Sequence, residues 1–322
     1  MPTLPLVSFI IPAFNEASII ENNLEEIQRH VAGLSRDYRT EIIIVNDGSS
    51  DATLALAQAF ADRHPDVFVL NHPINRGLAA ALQTGVFHAN GDVIVTLDVD
   101  LSYDPSHIDR LLAELRRTGA AMVLTSPYMK GGKVKNVPWD RHMLSAGANR
   151  FLSAAAGGTV STLTGMVRAY DTRALRSLSV DAKGMDINHA LVFAALKQDL
   201  AVVEIPACLE WRRPSGDQPT RRSSMKIFAH MWAVMQDAFR HRPTMLLALP
   251  GLIPGVWPLM AAITYFLGAS HQTIVAVTLA TAIVQTVSFA YFCLLTGRYV
   301  FGWRILPHAA RIFNEKRTTS RA

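Results

Sequence analysis

The stretch Val7-Ser-Phe-Ile-Ile-Pro-Ala-Phe-Asn-Glu16 joins a short run of β-branched and aromatic residues to a polar turn. The segment after it, from about Ala17 to His30, has apolar residues at helical spacing, which predicts a strand followed by a helix. This unit recurs twice and is followed by one more apolar strand: Glu41–Val45 with Ala52–Asp62, Val67–Leu70 with Leu78–His88, and then Val93–Leu97. Such alternation predicts an α/β domain with a mostly parallel sheet covered on both faces.

Four short polar segments follow these predicted strands. They are Pro12–Glu16, Asn46–Asp51, Asn75–Gly77 and Asp98–Asp100. In open α/β sheets, ligands bind at the carboxyl ends of the strands. We therefore expect the functional site to be built from these four loops.

Asp98 and Asp100 end an apolar strand, and residues two apart on a strand point to the same side. Both carboxylates can approach one hard cation such as Mg²⁺ or Mn²⁺, and Mg²⁺ commonly shares its coordination with substrate phosphates. A metal in this position would neutralise the charge that grows on a departing nucleoside diphosphate. An isolated Asp-x-Asp is more often a solvated loop, so this pair does not identify a site by itself.

The four loops together resemble, in order and spacing, the inverting glycosyltransferases of family 2. The resemblance covers roughly residues 6 to 110 and rests on the segments Val7–Glu16, Ile42–Asp51 and Gly91–Asp100. It implies a GT-A fold, a single Rossmann-like sheet domain that uses a nucleotide sugar and a divalent metal. It also implies that the nucleotide sugar contacts Pro12, Phe14, Asn15, Glu16, Asp47, Gly77 and Asp98, with Asp47 at the base and Asp98 and Asp100 at the metal.

A second resemblance concerns the acceptor. The segments Lys130–Trp139, Leu144–Asn149, Thr164–Tyr170 and Val203–Pro206 are similar to the dolichyl-phosphate mannose synthase branch and its bacterial polyprenyl-phosphate relatives. This likeness implies a polyprenyl phosphate acceptor at the cytoplasmic membrane face and inversion at the anomeric carbon. It assigns the acceptor phosphate to Arg212, Ser224, Lys226 and Arg168, with Arg212 also counted as catalytic. A cluster that only binds anionic lipid headgroups remains an alternative for the basic residues.

Two other functions remain open, and three departures from the family pattern favour the second of them. Pro127, Ser102 and Ala190 stand where many relatives have Arg, Gln and Glu. A family 2 transferase with another lipid or saccharide acceptor fits the same loops. A non-catalytic membrane scaffold is the second alternative.

The C-terminal third carries a membrane signal. No Asp, Glu, Lys or Arg occurs from Pro243 to Gly297, which is long enough for two spans of about 20 residues. We predict a two-helix transmembrane hairpin, Met245–Leu267 and Thr273–Leu295, with a pair of buried soluble helices as the alternative. Basic flanks place both ends in the cytoplasm, and the N-terminus lacks the pattern of a cleaved signal peptide. The expected location is therefore the inner membrane, with a multi-pass topology.

These features divide the chain into four predicted parts. They are a catalytic domain over residues 1–222, a juxtamembrane amphipathic helix over 223–243, two transmembrane helices over 244–297 and a basic cytoplasmic tail over 298–322. The net charge of +5 lies toward the C-terminal third, which favours an anionic membrane over nucleic acid as partner.

Other residues add little to this prediction. Two cysteines, Cys208 and Cys293, do not form a disulfide framework. His64, His72 and His88 are interpreted as surface or core-edge groups. The sequence does not distinguish a GDP-linked from a UDP-linked donor, and it leaves the oligomeric state open, homo-oligomers included.

Overall fold

A computed structural model describes residues 4–180, 186–211 and 256–299 of the 322-residue chain. These residues fall into two units: the first contains 4–180 and 186–211, and the second contains 256–299. The predicted boundaries near residues 222 and 243 lie outside the described residues, as does most of the predicted basic tail.

A seven-stranded sheet forms the centre of the first unit, in the order β3-β2-β1-β4-β7-β5-β8. Strand β7 runs antiparallel to both of its neighbours, and the other neighbouring pairs are parallel. A separate two-stranded sheet pairs β6 with β9. The strands are β1 (Leu6–Ala13), β2 (Arg39–Asp47), β3 (Val67–His72), β4 (Val93–Thr96), β5 (Met122–Ser126), β6 (Lys133–Lys135), β7 (Arg168–Asp171), β8 (Val202–Pro206) and β9 (Cys208–Glu210).

Seven helices connect these strands within the described part of the first unit. They are α1 (Ile20–Ala32), α2 (Thr53–Ala61), α3 (Leu78–His88), α4 (His107–Thr118), α5 (Trp139–Ala155), α6 (Thr172–Ser177) and α7 (Ile187–Lys197). Helix α1 shows why the sequence folds this way, because its buried residues recur at intervals of three and four and form one apolar face: Ile20, Leu24, Ile27 and Val31.

Strand β1 lies between two layers of helices. Phe9 and Ile11 belong to the same core cluster as the buried face of α1. Ile10 points the other way, where its side chain lies so close to Gly85 of α3 that a Cβ on this glycine would meet it at 2.4 Å. A strand buried on both faces has an almost continuous apolar sequence rather than an alternating one, as the run Val7 to Ile11 does.

The predicted α/β architecture is therefore confirmed, with a mostly parallel sheet. The observed elements differ from the prediction mainly at their ends. Helix α1 begins at Ile20 rather than near Ala17, because the carbonyl of Glu16 accepts hydrogen bonds from the amides of Ile19 and Ile20 and holds a turn there.

The second unit contains helices α8 (Val256–Phe266) and α9 (His271–Tyr299), which contact each other. Within the described residues, only His271–Leu294 is long and apolar enough to cross a membrane. Ser270 directly precedes α9, and its hydroxyl accepts a hydrogen bond from the amide of Thr273 at 3.2 Å. The predicted hairpin thus keeps its second helix, whereas the first half of Met245–Leu267 lies outside the described residues.

Candidate active site

The polar loops gather at one edge of the central sheet. Strand β1 lies between β2 and β4, and the register pairs Ala13 with Asn46 and Ile10 with Thr96. Because these strands are parallel, the loops that follow them leave the sheet on the same side. The structure therefore brings together the loops after β1, β2 and β4, as the sequence predicts.

The loop after β1 is fastened to the loop after β2 by hydrogen bonds. The amide of Asn15 donates to Ser49 Oγ at 3.0 Å, and Asn15 Oδ1 accepts from the amide of Ser50 at 2.9 Å. The amide of Glu16 donates to Thr53 Oγ1 at 2.7 Å. Asn15 has a φ of +55°, a left-handed conformation that asparagine tolerates better than most residues. These contacts give the predicted nucleotide-contacting residues a fixed frame.

Apolar surface is exposed beside these polar loops. Phe14, in the loop after β1, is 43% exposed, and Ile74, in the loop after β3, is 70% exposed. Pro12 is partly buried at the end of β1. An exposed aromatic ring at the mouth of a polar site is suited to stacking against a planar ligand group such as a nucleobase.

The carboxylate of Asp47 is buried and accepts three hydrogen bonds. Its Oδ1 accepts from His72 Nδ1 at 2.7 Å and from the amide of Arg76 at 2.9 Å, and its Oδ2 accepts from the amide of Gly77 at 2.8 Å. Asp47 and His72 are each about 5% exposed. In this structure Asp47 holds the loop after β3, and it does not present its oxygens to solvent.

Gly48 allows that loop to approach. Its φ is +69°, and a Cβ on this residue would lie 2.2 Å from the carbonyl carbon of Ile74 and 2.3 Å from the nitrogen of Asn75. Only glycine fits a position where one main chain rests directly on another with a positive φ. The loops after β2 and β3 are thus in main-chain contact.

Asp98 and Asp100 lie in the loop directly after β4, and both are partly exposed. Asp100 Oδ1 accepts a hydrogen bond from the amide of Ser102 at 2.9 Å. Asn23 of α1 donates from its side-chain amide to the carbonyl of Val99 at 2.8 Å. The acidic loop is therefore held from within and from the neighbouring helix.

The surroundings of Asp98 disfavour its charged form. Burial raises the pKa of the Asp98 carboxyl well above its ordinary value, and the charge of Asp100 raises it further. The pKa of the nearby Tyr103 phenol is also raised, first by burial and then by the charge of Asp98. The ionised form of Asp98 is therefore disfavoured at this position.

This arrangement fits a divalent cation. Burial and the charge of Asp100 disfavour the ionised form of Asp98, and a divalent cation held by these carboxylates would favour it again. Within the described part of the chain, no group of three or more His, Cys, Asp or Glu side chains is placed to hold a metal. Mg²⁺ is usually bound by one or two carboxylates together with waters and substrate phosphates.

A comparison with known protein families matches residues 8–179 to the family described as Glycosyl transferase family 2. The match covers more than half of the chain and includes every loop of the polar edge. This chain belongs to glycosyl transferase family 2.

Two proteins that are similar to this chain in sequence are named as sugar transferases or synthases. A dolichol-phosphate mannosyltransferase from Pyrococcus furiosus is 37% identical over 142 residues, which cover 44% of this chain and 39% of the relative. A polyprenol monophosphomannose synthase from Mycolicibacterium smegmatis is 34% identical over 204 residues, which cover 61% of this chain and 74% of the relative. Both names describe transferases that act on a polyprenyl-type phosphate.

A solved structure supports the fold. Glucosyl-3-phosphoglycerate synthase from Mycobacterium tuberculosis, crystallised with Mn²⁺, uridine diphosphate and phosphoglyceric acid, matches with a TM-score of 0.56 and 21% sequence identity. The match covers 74% of this chain and 78% of that one. The family 2 domain described here is thus a GT-A domain with a Rossmann-like sheet.

The environment of Arg168 does not suit the predicted contact with an acceptor phosphate. Its side chain is 1% exposed, and its guanidinium donates to the carbonyls of Gly165, Asn188 and Leu163 at 2.6 to 2.7 Å. A guanidinium with three carbonyl acceptors in the interior fixes the segments around it and is shielded from a lipid phosphate. Arg212, Ser224 and Lys226 lie outside the described residues.

Sequence reasoning missed the role of His72 in this family 2 site. The residue was interpreted as a surface or core-edge group, but it is buried and bonds to both Asp47 and Thr84. The sequence does carry a signal for this contact. Asp47 and His72 stand at the ends of β2 and β3, which are parallel neighbours and lead into loops of the polar edge. The register pairs these two residues.

Proposed function

We propose that this family 2 glycosyltransferase transfers a monosaccharide from a nucleoside diphosphate sugar to a polyprenyl phosphate. One observation carries the proposal: two relatives that are 37% and 34% identical over the aligned residues are named for this type of acceptor, and the second is matched over 74% of its length. The fastened loops at the sheet edge supply a frame for the donor.

The reaction is a single in-line displacement at the anomeric carbon. An oxygen of the lipid phosphate forms the new bond to this carbon as the bond to the diphosphate oxygen breaks. The electron pair of the broken bond leaves with the nucleoside diphosphate, and the configuration inverts. A phosphate monoester is mostly dianionic at neutral pH, since its second pKa is about 6. The acceptor therefore needs positioning more than deprotonation.

Asp98 and Asp100 are the proposed ligands of Mg²⁺ or Mn²⁺, which when bound would stabilise the charge of the departing diphosphate. The crystallised neighbour from Mycobacterium tuberculosis, with its Mn²⁺ and uridine diphosphate, supports this assignment by analogy of fold. Phe14 provides the exposed ring for the base, and the loops of Asn15, Glu16 and Gly77 provide the surrounding surface. The donor base, guanine or uracil, is left to experiment.

The acceptor would meet the enzyme at a membrane. Helix α9 supplies the segment His271–Leu294, which has a mean hydropathy of 1.8. Only 6% of its most apolar 18-residue stretch is buried inside the protein. Arg212, Ser224 and Lys226 precede this region in sequence and remain our proposed contacts for the lipid phosphate. The inner membrane location, the multi-pass topology and the cytoplasmic termini belong to the same proposal.

A transfer assay tests the proposal. The full chain in detergent is incubated with Mn²⁺ or Mg²⁺, a panel of radiolabelled GDP- and UDP-linked sugars, and polyprenyl phosphate. We expect a metal-dependent, mild-acid-labile glycolipid with at least one donor. Polyprenol without phosphate and diacylglycerol are the matched acceptors, and labelling of either in place of polyprenyl phosphate would overturn the assignment.

Two variants link the product to the site. Asp98→Asn should lower the rate by at least about 100-fold, because it removes a charged metal ligand. Asp62→Asn changes an exposed acid just after α2 and should leave the rate within about twofold. Equal rates for Asp98→Asn and wild type would refute the metal assignment while leaving the fold unaffected.

A further inference from the structure

Three hydrogen-bonded side chains, two of them buried and the third partly buried, lie beneath the loop that follows β3. Thr84 of α3 contacts His72 at the end of β3, with 2.9 Å between Thr84 Oγ1 and His72 Nε2. His72 Nδ1 lies 2.7 Å from Asp47 Oδ1 at the end of β2. Helix α3 and two strands are thus joined through one imidazole.

The proton positions in this group of side chains follow from donor and acceptor chemistry. A carboxylate only accepts, so the Nδ1 of His72 carries the hydrogen that Asp47 receives. The Nε2 of His72 then faces a hydroxyl, which can either donate or accept. The imidazole is oriented at both nitrogens, and its donated bond fixes the rotamer of the Asp47 carboxylate.

That carboxylate in turn fixes a loop. The amides of Arg76 and Gly77 both point at Asp47, at 2.9 and 2.8 Å. The loop would lose both bonds if it moved away from Asp47. It also rests on Gly48 in direct main-chain contact. Ile74, Asn75 and Arg76 are exposed on the outer side of the loop.

His72 and Asp47 lie beneath the loop rather than on its outer side. Both are buried and bond to internal partners, whereas the loop presents exposed polar and apolar groups at the sheet edge. A change at His72 would therefore act on a ligand at this edge by shifting the Asp47 carboxylate and the loop.

We propose that His72 is a positioning residue for the nucleotide part of the donor, acting through the Asp47 carboxylate and the loop of residues 74–77 that it holds. This inference rests on the proposed function, because it takes the ligand at the edge to be a nucleoside diphosphate sugar. It predicts an effect on donor affinity that is separate from the chemical step.

Substitutions that keep one half of the imidazole distinguish the two hydrogen bonds. In His72→Asn the side-chain amide occupies the place of Nδ1 and still donates to Asp47. In His72→Gln the amide reaches the place of Nε2 instead, and His72→Ala keeps neither bond. His88→Ala is the matched control, because His88 is exposed on the same helix as Thr84 and bonds only to its own helix.

Binding of GDP and of UDP to the full chain with Mn²⁺, measured by titration calorimetry in detergent, is the first readout. For the nucleotide that wild type binds, we expect His72→Ala and His72→Gln to bind about tenfold more weakly. His72→Asn and His88→Ala should stay within about threefold. Equal affinity for His72→Ala and wild type, or His72→Asn as weak as His72→Ala, would overturn the inference.

Steady-state kinetics give the second readout. The KM for the nucleotide sugar should rise about tenfold in His72→Ala, while kcat at saturating donor and the KM for polyprenyl phosphate stay within about twofold. A fall in kcat with an unchanged donor KM would contradict a positioning role. If wild type itself binds neither nucleotide, the proposed function fails, and this inference with it.

A second pair of variants tests the inference in case His72→Ala does not fold. Thr84→Val removes only the outer hydroxyl and keeps the shape, and Thr84→Ser restores the hydroxyl. We expect weaker nucleotide binding in Thr84→Val, about threefold, and wild-type binding in Thr84→Ser. If Thr84→Val binds the nucleotide as tightly as wild type and unfolds at the same midpoint, the hydrogen bond from Thr84 to His72 does not contribute to binding. This result would count against the three side chains acting as a unit.

Discussion

At the scale of single residues, Asp98 should lower the stability of the fold and strengthen metal binding, and the two effects can be measured separately. Burial and the charge of Asp100 both raise the pKa of Asp98 in the folded protein above its unfolded value. A carboxyl group of this kind stabilises the fold below its unfolded pKa, and that contribution is lost as the pH rises through the folded pKa. Without metal, the unfavourable ionisation of Asp98 therefore lowers the stability of the fold as the pH rises.

Asp98→Asn should unfold at a higher temperature than wild type when metal is removed by a chelator. The amide is neutral at every pH, so the difference should be large at pH 8.5 and shrink as the pH falls toward 4. For a domain of this size, each kcal/mol corresponds to about 2–4 °C in the unfolding midpoint. Thermal unfolding in detergent, followed by intrinsic fluorescence, measures it.

Added Mn²⁺ should reverse the order of these two proteins. A cation that binds only the native state raises the midpoint of wild type, whereas Asp98→Asn should gain little. Asp62→Asn should behave like wild type in both conditions. Identical midpoints for wild type and Asp98→Asn at pH 8.5 without metal would show that the site is not strained.

Arg168 gives a second prediction at this scale. Lysine cannot reproduce the three divergent bonds of the guanidinium to the carbonyls of Gly165, Asn188 and Leu163. Arg168→Lys should therefore lower the free energy of unfolding by about 2–4 kcal/mol, because buried carbonyls lose their donors. Urea unfolding of this variant beside Arg173→Lys, an exposed arginine of α6, is the measurement.

The kinetics of Arg168→Lys decide between support and contact. If Arg168 only holds the interior, the KM for polyprenyl phosphate should change little in the fraction that remains folded. A stable variant with a strongly raised KM for the lipid would instead restore the predicted contact with the acceptor phosphate.

At the scale of elements, the glycines in turns differ in what surrounds them. Gly48 combines a φ of +69° with main-chain atoms of the next loop within 2.3 Å of a Cβ. Gly119 has a φ of +61° but open space around it, and Gly33 has open space and an ordinary φ of −63°. The three positions therefore separate steric collision from backbone strain.

Substitution by alanine should follow this order. Gly48→Ala should cost about 2–4 kcal/mol and abolish nucleotide binding, because the loops after β2 and β3 must move apart. Gly119→Ala should cost about 1–2 kcal/mol, from the positive φ alone. Gly33→Ala should be neutral or should stabilise by about 0.4–1 kcal/mol. Chemical denaturation of the three variants, with nucleotide binding as the second readout, checks this order. An equal loss in the free energy of unfolding for Gly48→Ala and Gly119→Ala would refute a steric collision at position 48.

At the scale of the whole molecule, the second unit should keep the chain in a membrane. Ile283 and Val287 of α9 are each more than 60% exposed, one helical turn apart near the middle of His271–Leu294. Such apolar exposure is favourable in lipid and costly in water. We expect the full chain to stay in the membrane pellet after an alkaline carbonate wash.

Charge placed on that surface should reduce retention. An arginine near the centre of a membrane helix costs about 2.5–3.5 kcal/mol, so the double substitution Ile283→Arg and Val287→Arg should shift protein to the soluble or aggregated fraction. The matched control replaces both residues with alanine, which shortens the side chains without adding charge. Full retention of the arginine pair would argue that α9 packs against protein rather than lipid.

Much of the fold could be predicted from local patterns. The runs Val7 to Ile11 and Ile42 to Val45 are apolar on both faces, and the segments after them have apolar residues at helical spacing. Together these patterns predict a parallel sheet that is covered by helices on both faces. The antiparallel insertion of β7 between β4 and β5 could not be predicted in this way. It depends on which distant strands pair, and a four-residue strand carries little signal of its partner.

The site follows the same division. By itself, the sequence determined the loops of the polar edge, the acidic pair Asp98 and Asp100 and the uncharged C-terminal segment, because each is a contiguous pattern of polarity. Only the tertiary structure decided that Asp47 is bonded to His72, 25 residues away, and that Arg168 is buried. Hydrogen-bond partners and burial are set by strand register and packing between distant segments, so no local pattern specifies them.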